Sequence, residues 1–384
     1  MQKGKIVSTL LDLLKVPSYT GYERGDVDIA DYVVQFLNRH GIEAELQEVD
    51  VNQVNVIAQV CRVSLKNAKT ILFVSHLDTV SPEGMEVPPF GALSKNVIYG
   101  RGAVDMKGGL TAALWCLVEL TRTRSFKGRV LFLGDANEED GNTGAMHFLY
   151  SRDFDYDYAI IGEPTNLRIA VAHKGVCWVN VRFSGKTAHA AFPNRGSNAI
   201  MAGAEFIRLL DLEVIPLLKK RHHSLLGNPT LNIGVIRGGE RPNIVPHVCD
   251  ISIDRRYIPT ESKEEALAQL AALAQRVAQK YRSSCSVTEM PQTADPPHDA
   301  FYIPENDDIV IKVRSLLRRA GIDDKPRCVP FWTEAPLFSK GGLKKVLILG
   351  PGDPALAHAP DEHVAVQEVF TASNVYYQIC QELG

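Results

Sequence analysis

An α/β fold interrupted by an inserted α+β unit is what this sequence predicts, and three features of its patterning predict it. At 384 residues the chain is longer than a single hydrophobic core usually serves. Its first third alternates short apolar runs with amphipathic helical periodicity, which implies a mixed, mostly parallel sheet covered on both faces. From Val176 to about Met290 the order changes to strand, helix, strand, strand, helix, strand, and helix–strand alternation then resumes. That βαββαβ order is the split arrangement of a ferredoxin-like unit.

Taken along the chain, Ile6–Val16 and Asp26–His40 carry apolar residues at helical spacing, the second stopped by Gly41. Lys3 and Lys5 precede the first of these as they would a secretion leader. Asp12 and Lys15 cut its apolar run short, so a helix of the mature fold is expected. Strands are expected at Val54–Val60 and Thr70–Val74, a helix through Leu110–Leu120, and strands at Arg129–Leu133 and Tyr158–Ile161. Within the insertion the strands are Val176–Phe183, Thr230–Arg237, Cys249–Tyr257 and Ser286–Glu289, and the helices Ser197–Leu210 and Ser262–Tyr281. The breaker-rich Pro291–Pro297 then ends it. The expected division is therefore 1–175 with 291–384, and 176–290. The first part resumes with a helix at Asp308–Ala320, a strand at Val346–Leu349 and a helix from about Gln367.

Composition narrows the function. A net charge of -3 without a basic stripe offers no footprint for nucleic acid. Charges interrupt every apolar run before membrane-spanning length, so no membrane partner is expected. Cys61, Cys116, Cys177, Cys249, Cys285, Cys328 and Cys380 are scattered and never form a C-x-x-C pair. Thiols kept reduced in a cytoplasm fit that pattern. HExxH, GxSxG and P-loop motifs are absent.

The acids and histidines of interest stand just past apolar strands, where ligands of open α/β sheets gather. They are His76 and Asp78 after Ile71–Val74, Asp105 before a helix, Glu138 and Glu139 after Val130–Leu133, Glu163 after Ala159–Ile161, and His358 after Val346–Leu349. Residues two apart in an extended segment point the same way, so Asp78 can fix the tautomer of His76 as carboxylates do behind metal-bound histidines. Glu138 and Glu139 are adjacent and diverge, which leaves one free to bind metal and the other to face a water. Each segment alone also reads as a solvated loop. As a set they supply a mixed nitrogen and oxygen donor group that suits zinc and tolerates cobalt or manganese. A carboxylate can bridge two such ions.

The stretches SHLDTVSP, GRGAVDMKGGL, ANEEDG, IIGEPT, GKTAHAAFPNRGSNAI, RPNIVP and LGPGDPALAHAPDEHV resemble, in order, the metallopeptidase family of acetylornithine deacetylase, succinyl-diaminopimelate desuccinylase, aminoacylase and carboxypeptidase G. The resemblance implies a two-metal site in which His76 and Glu163 bind one ion, Glu139 and His358 the other, and Asp105 bridges. It implies that Asp78 orients His76, that Glu138 is the general base, and that the Asp105–Met106 peptide is cis. It makes the inserted unit a lid that carries a homodimer contact, with His189 donating to the oxyanion, often from the partner subunit. Arg256, or Arg255 beside it, is a candidate clamp for a substrate carboxylate, and Asn243 a polar contact in the same site.

Thr333-Glu334-Ala335-Pro336 and the LGPG…AHAPDE stretch resemble acetylornithine deacetylases, and the DMKGG stretch desuccinylases. N-acetyl-L-ornithine is the first expected substrate. Acetylcitrulline, N-succinyl-diaminopimelate and small dipeptides remain alternatives. A family member that binds metal without catalysis would lack a ligand or the base, and none is missing. A two-metal phosphoesterase would need a cluster of basic residues to grip phosphate, and no such cluster is present.

Overall fold

The strand Thr70–His76 is buried along its whole length, and the sheet of the first unit is built outward from it. The computed structural model describes residues 3–62, 69–123, 126–151 and 155–384. The chain separates into two units. The first takes the chain as far as Val171, then Ile303–Val329 and Thr333–Gly384; the second is Ala172–Tyr302 with Pro330–Trp332.

In the first unit, Thr70–His76 pairs in parallel with Arg129–Asp135 on one side and with Tyr158–Ile161 on the other. Lys345–Ile348 continues the parallel run beside Tyr158–Ile161. Gln53–Cys61 and Ala44–Asp50 extend the sheet in antiparallel fashion at one side, and Ile348 pairs antiparallel with Ala170 at the other. The sheet is mixed, with a parallel centre. Ile71, Leu72, Phe73 and Val74 are all buried, so these continuous apolar runs, unlike alternating ones, are covered on both faces. The helix Lys107–Arg122 is buried almost all round. It packs against Lys3–Lys15 and Val366–Leu383, with Trp115 Nε1 donating to Thr9 Oγ1 at 3.1 Å and Cys116 Sγ 4.0 Å from Cys380 Sγ.

The second unit holds an antiparallel sheet in the order Thr230–Gly238, Val248–Tyr257, Gly175–Ser184, Ser284–Glu289. The first and last strands of the βαββαβ run thus lie side by side, as in a ferredoxin-like unit. Phe183, Phe206, Leu210, Ile251, Leu270 and Val277 form its core. The helix Lys263–Lys280 opens on a capping box in which Ser262 Oγ accepts the Glu265 N–H and the Glu265 carboxylate accepts that of Ser262. Beyond Ala199–Leu209 the chain continues through a π turn, Leu210–Val214, into Ile215–Leu218.

The units divide at Ala172 and Tyr302, outside the expected limits of 176 and 290. Hydrogen bonds explain the shift. Met290 N donates to Trp178 O at 2.7 Å and Trp178 N to Thr293 Oγ1 at 3.0 Å, which fastens Pro291–Ala294 to the inserted sheet. Phe301 and Tyr302 then pair with His173 and Ala172. The edge strand Ala44–Asp50 was not expected, because AELQEVD shows no clean apolar alternation and its residues are exposed or half-buried. No helix among the described residues is long and apolar enough to cross a membrane.

Gly109 shows how tightly the helix start is seated, since a Cβ there would lie 2.2 Å from the carbonyl oxygen of Gly162. Gly109→Ala is expected to destabilise the protein by about 1–3 kcal/mol, measured by urea unfolding. A midpoint equal to wild type would refute this packing.

Candidate metal centre

The parallel strands end at one edge of the sheet, and His76 is the last residue of its strand. Its Nε2 lies 3.1 Å from Asp105 Oδ1 and 3.7 Å from Glu163 Oε1. His358 Nε2 lies 3.1 Å from Glu139 Oε1 and 3.3 Å from Asp105 Oδ2. The two oxygens of Asp105 therefore face one imidazole each, the placement a bridging carboxylate needs. Donor atoms of His76, Asp105 and Glu139 lie within 4.8 Å of one another, and so do those of His76, Glu138 and Glu163. The structure thus brings the five expected ligands and Glu138 together. Glu138 stands close enough to His76 and Glu163 to serve as a ligand.

Backbone geometry places these groups. The Asp105–Met106 peptide is cis, and Met106 Sδ accepts the His76 N–H at 3.3 Å. His358 adopts φ 61°, a left-handed conformation that costs a non-glycine residue about 1–2 kcal/mol. Asp78 reaches both His76 and the acidic pair. His76 Nδ1 lies 3.0 Å from the backbone carbonyl of Asp78 and 3.4 Å from its carboxylate, so the main chain is the nearer acceptor. The Asp78 carboxylate also accepts the N–H groups of Glu138 and Glu139, both at 3.0 Å. It fixes the acidic pair and the imidazole together, and His76 Nε2 faces the other acids.

Charge decides whether this donor set suits divalent ions. Burial pushes Glu138 and Glu163 well above the usual carboxylate range, and neighbouring carboxylates push the same way: Glu139, Asp78 and Asp105 on Glu138, Asp105 first on Glu163. Burial and Asp105 likewise raise Glu139, against the pull of His358. Burial opposes a charge on His76, yet Asp105 and Asp78 hold its pKa well above normal. Hydrogen bonds to Asp105 and Glu139 lift His358 to about 10. Behind them lie two more buried acids, Asp135, raised by burial to about 6, and Glu334, raised well above normal. Acids outnumber imidazoles, and without cations only protons can offset them. Carboxylate and imidazole donors around a surplus of negative charge fit two divalent ions.

The remaining expected residues belong to the second unit. His189 Nδ1 accepts the Ala191 N–H at 3.0 Å, which leaves Nε2 as the ring's donor. Asn243 lies on the adjoining segment, its carbonyl accepting the Ala190 N–H at 3.0 Å. Arg256 pairs in a fork with Asp254, at 2.9 and 3.0 Å, and is about 31% exposed. Arg255 is buried and committed to Glu261 at 2.6 Å, which removes it as a clamp for substrate. Asp135, Glu334, Arg101 and Glu362 carry no sequence signal of a part in this site. The last three lie inside stretches quoted above, but no local spacing ties any of them to its partner.

A family model described as peptidase family M20/M25/M40 matches residues 72–382. An acetylornithine deacetylase of Pectobacterium carotovorum is 31% identical over 332 residues, 84% of this chain and 82% of that protein. The corresponding enzyme of Myxococcus xanthus is 29% identical over 356 residues, 90% and 89% of the two chains. The aminopeptidase PepT of Bacillus cereus superposes with a TM-score of 0.82 at 20% identity, over 100% of this chain and 99% of that one. The YXEP protein of Bacillus subtilis, a dinuclear metal binding peptidase, does so with 0.74 at 15%, over 99% and 98%.

Because His358 titrates at about 10 in the metal-free protein, it is protonated at neutral pH and must shed that proton to become a ligand. Adding zinc to chelator-stripped protein at pH 7 is therefore expected to release protons, and affinity should rise with pH until that group has titrated. Calorimetry in buffers of different ionisation enthalpy measures the release; an enthalpy independent of buffer would contradict it.

Proposed function

This chain belongs to peptidase family M20/M25/M40, and from that footing we propose that it removes the acetyl group of N-acetyl-L-ornithine at a two-ion centre. It is a metal-dependent amidohydrolase. The observation that carries the two-ion reading is the placement of Asp105, with one oxygen toward His76 and the other toward His358. His76, Glu163 and Asp105 would hold one ion, and Glu139, His358 and Asp105 the other. Zinc is the first choice of metal, with cobalt able to substitute. The substrate is supported by the acetylornithine deacetylases that this chain resembles over most of its length. In this reading 1–171 with the returning C-terminal segments is the catalytic domain and the inserted unit the lid.

When bound, the ions lower the pKa of water and polarise the amide carbonyl. Glu138, held by its amide on Asp78, takes the proton of the attacking water and hands it to the leaving amine nitrogen. His189 donates from Nε2 to the oxygen that gains charge as the carbonyl carbon becomes tetrahedral. Arg256 exchanges its fork on Asp254 for the substrate's α-carboxylate, and Asn243 adds a polar contact. The lid also mediates a homodimer. Thr230–Gly238 ends its sheet, and Val235, Ile236, Ile200, Met201 and Ile244 are exposed on and around it, an apolar edge that a second copy would cover. The scattered thiols fit the reducing cytoplasm, and the proposed substrate would make this an enzyme of arginine biosynthesis.

Chelator-stripped protein is expected to be inactive on N-acetyl-L-ornithine and to regain turnover with zinc or cobalt. Much faster hydrolysis of N-succinyl-diaminopimelate or dipeptides would sink the substrate assignment. The Glu138→Gln variant should keep both ions and lose about 10²–10⁴ in kcat; near-normal turnover would remove Glu138 as the base. His189→Ala should lose about 10²–10³ in kcat with metal content unchanged. Mixed with Glu138→Gln subunits, it should regain activity if the histidine reaches across the dimer, and failure to do so would confine His189 to its own subunit.

A further inference from the structure

The loops bearing Asp105 and His358, and the segment that follows Asp78, all converge on one guanidinium. Glu362 is completely buried. Its Oε1 accepts the Val104 N–H at 2.9 Å and the N–H of Asp105 itself at 3.2 Å. Its Oε2 accepts from Arg101 Nη1 at 2.6 Å. Arg101, also buried, turns its other donors on carbonyls: Nε to Ser81 O at 3.1 Å, and Nη2 in a long contact to His358 O at 3.5 Å. The backbone closes the same junction, with Gly100 N donating to Glu362 O at 3.1 Å and Arg101 N to Pro89 O at 2.9 Å.

We infer that Glu362 and Arg101 are positioning residues whose single buried ion pair sets the spacing between the Asp105 carboxylate and the His358 imidazole. Neither touches the donor atoms. One end of the pair grips the main chain of Asp105, the other the main chain of His358, and Ser81 ties in the loop that follows His76 and Asp78. His358 is the residue held at φ 61°, so its loop needs an external hold, and Arg101 contacts its carbonyl. Fold stability alone does not call for this arrangement, because an apolar pair of similar volume often replaces a buried ion pair without loss. Such a pair would fill the space but could not receive the Asp105 N–H or donate to the His358 carbonyl. The charged pair therefore serves geometry, with donors and acceptor fixed where water cannot compete.

The inference rests on the two-ion reading and is tested beside it. Zinc is titrated calorimetrically into stripped wild type, Glu362→Ala, Glu362→Gln and the double variant R101M/E362L, and kcat and KM are measured on N-acetyl-L-ornithine. The double variant keeps the buried volume, so it reports on positioning if single variants fold poorly. All variants are expected to bind at least one of the two ions about 10–100-fold more weakly. The value of kcat should fall with it, while KM changes by less than about threefold because the clamp meets no substrate. Glu362→Gln, which keeps an oxygen for the two N–H groups, should lose least. Wild-type affinity for both ions in Glu362→Ala or in the double variant would overturn the clamp alone. A wild type that takes up fewer than two ions would overturn the two-ion reading and the clamp with it.

Discussion

The structure depends on a surplus of carboxylate charge gathered at the carboxyl edge of a parallel sheet. Asp105, Glu138, Glu139 and Glu163 stand around the imidazoles of His76 and His358, and burial and mutual repulsion raise all but Asp105. The imidazoles pull Asp105 below the usual range, against the effect of burial. Groups that repel one another stay together only if the surrounding chain is stiff. The four parallel strands supply that stiffness at the base, and the buried helix after Asp105 supplies it from the side. Hydrogen bonds to main-chain amides, from Asp78 to the acidic pair and from Glu362 to the Asp105 turn, supply it at the tips.

Much of this was legible in the sequence, for identifiable reasons. Long periodic segments announced themselves: the expected Ser262–Tyr281 helix is observed as Lys263–Lys280, and Asp26–His40 as Val27–Arg39. The order of strands and helices in the insertion was likewise readable, because each strand is bounded by polar turns. Short or charged strands were not. Ala44–Asp50 is exposed or half-buried throughout, and the small ribbon of Ala92–Ser94, Val97–Tyr99 and His363–Ala365 is too short for any period to show.

The candidate site divides in the same way. Its ligand-type residues follow strands and could be picked out singly, and the structure draws them together. What escaped was the support. Asp135 closes the apolar run RVLFLGD and looks like a strand terminus, while its neighbour in space, Glu334, lies beyond the inserted unit in the sequence. Arg101 and Glu362 are separated by 261 residues. Only the folded chain reveals such pairs, because no local periodicity links them. The two arginines on Val248–Tyr257 make the complementary point. Adjacent strand residues face opposite ways, so Arg255 is interior and Arg256 outward, a distinction available from alternation once the core face is known.

The division of work at Asp78 has a consequence for how this site tolerates change over time. The nearer acceptor of the His76 ring is a main-chain carbonyl, which every amino acid possesses and no replacement can delete. The amides of Glu138 and Glu139 are caught by a side chain, which a single base change can remove. Genetic drift at this position would reach the acids first, while the imidazole would lose its longer contact and keep the carbonyl. The histidine's orientation is inherited chiefly with the path of the backbone, and the acids' orientation with one codon.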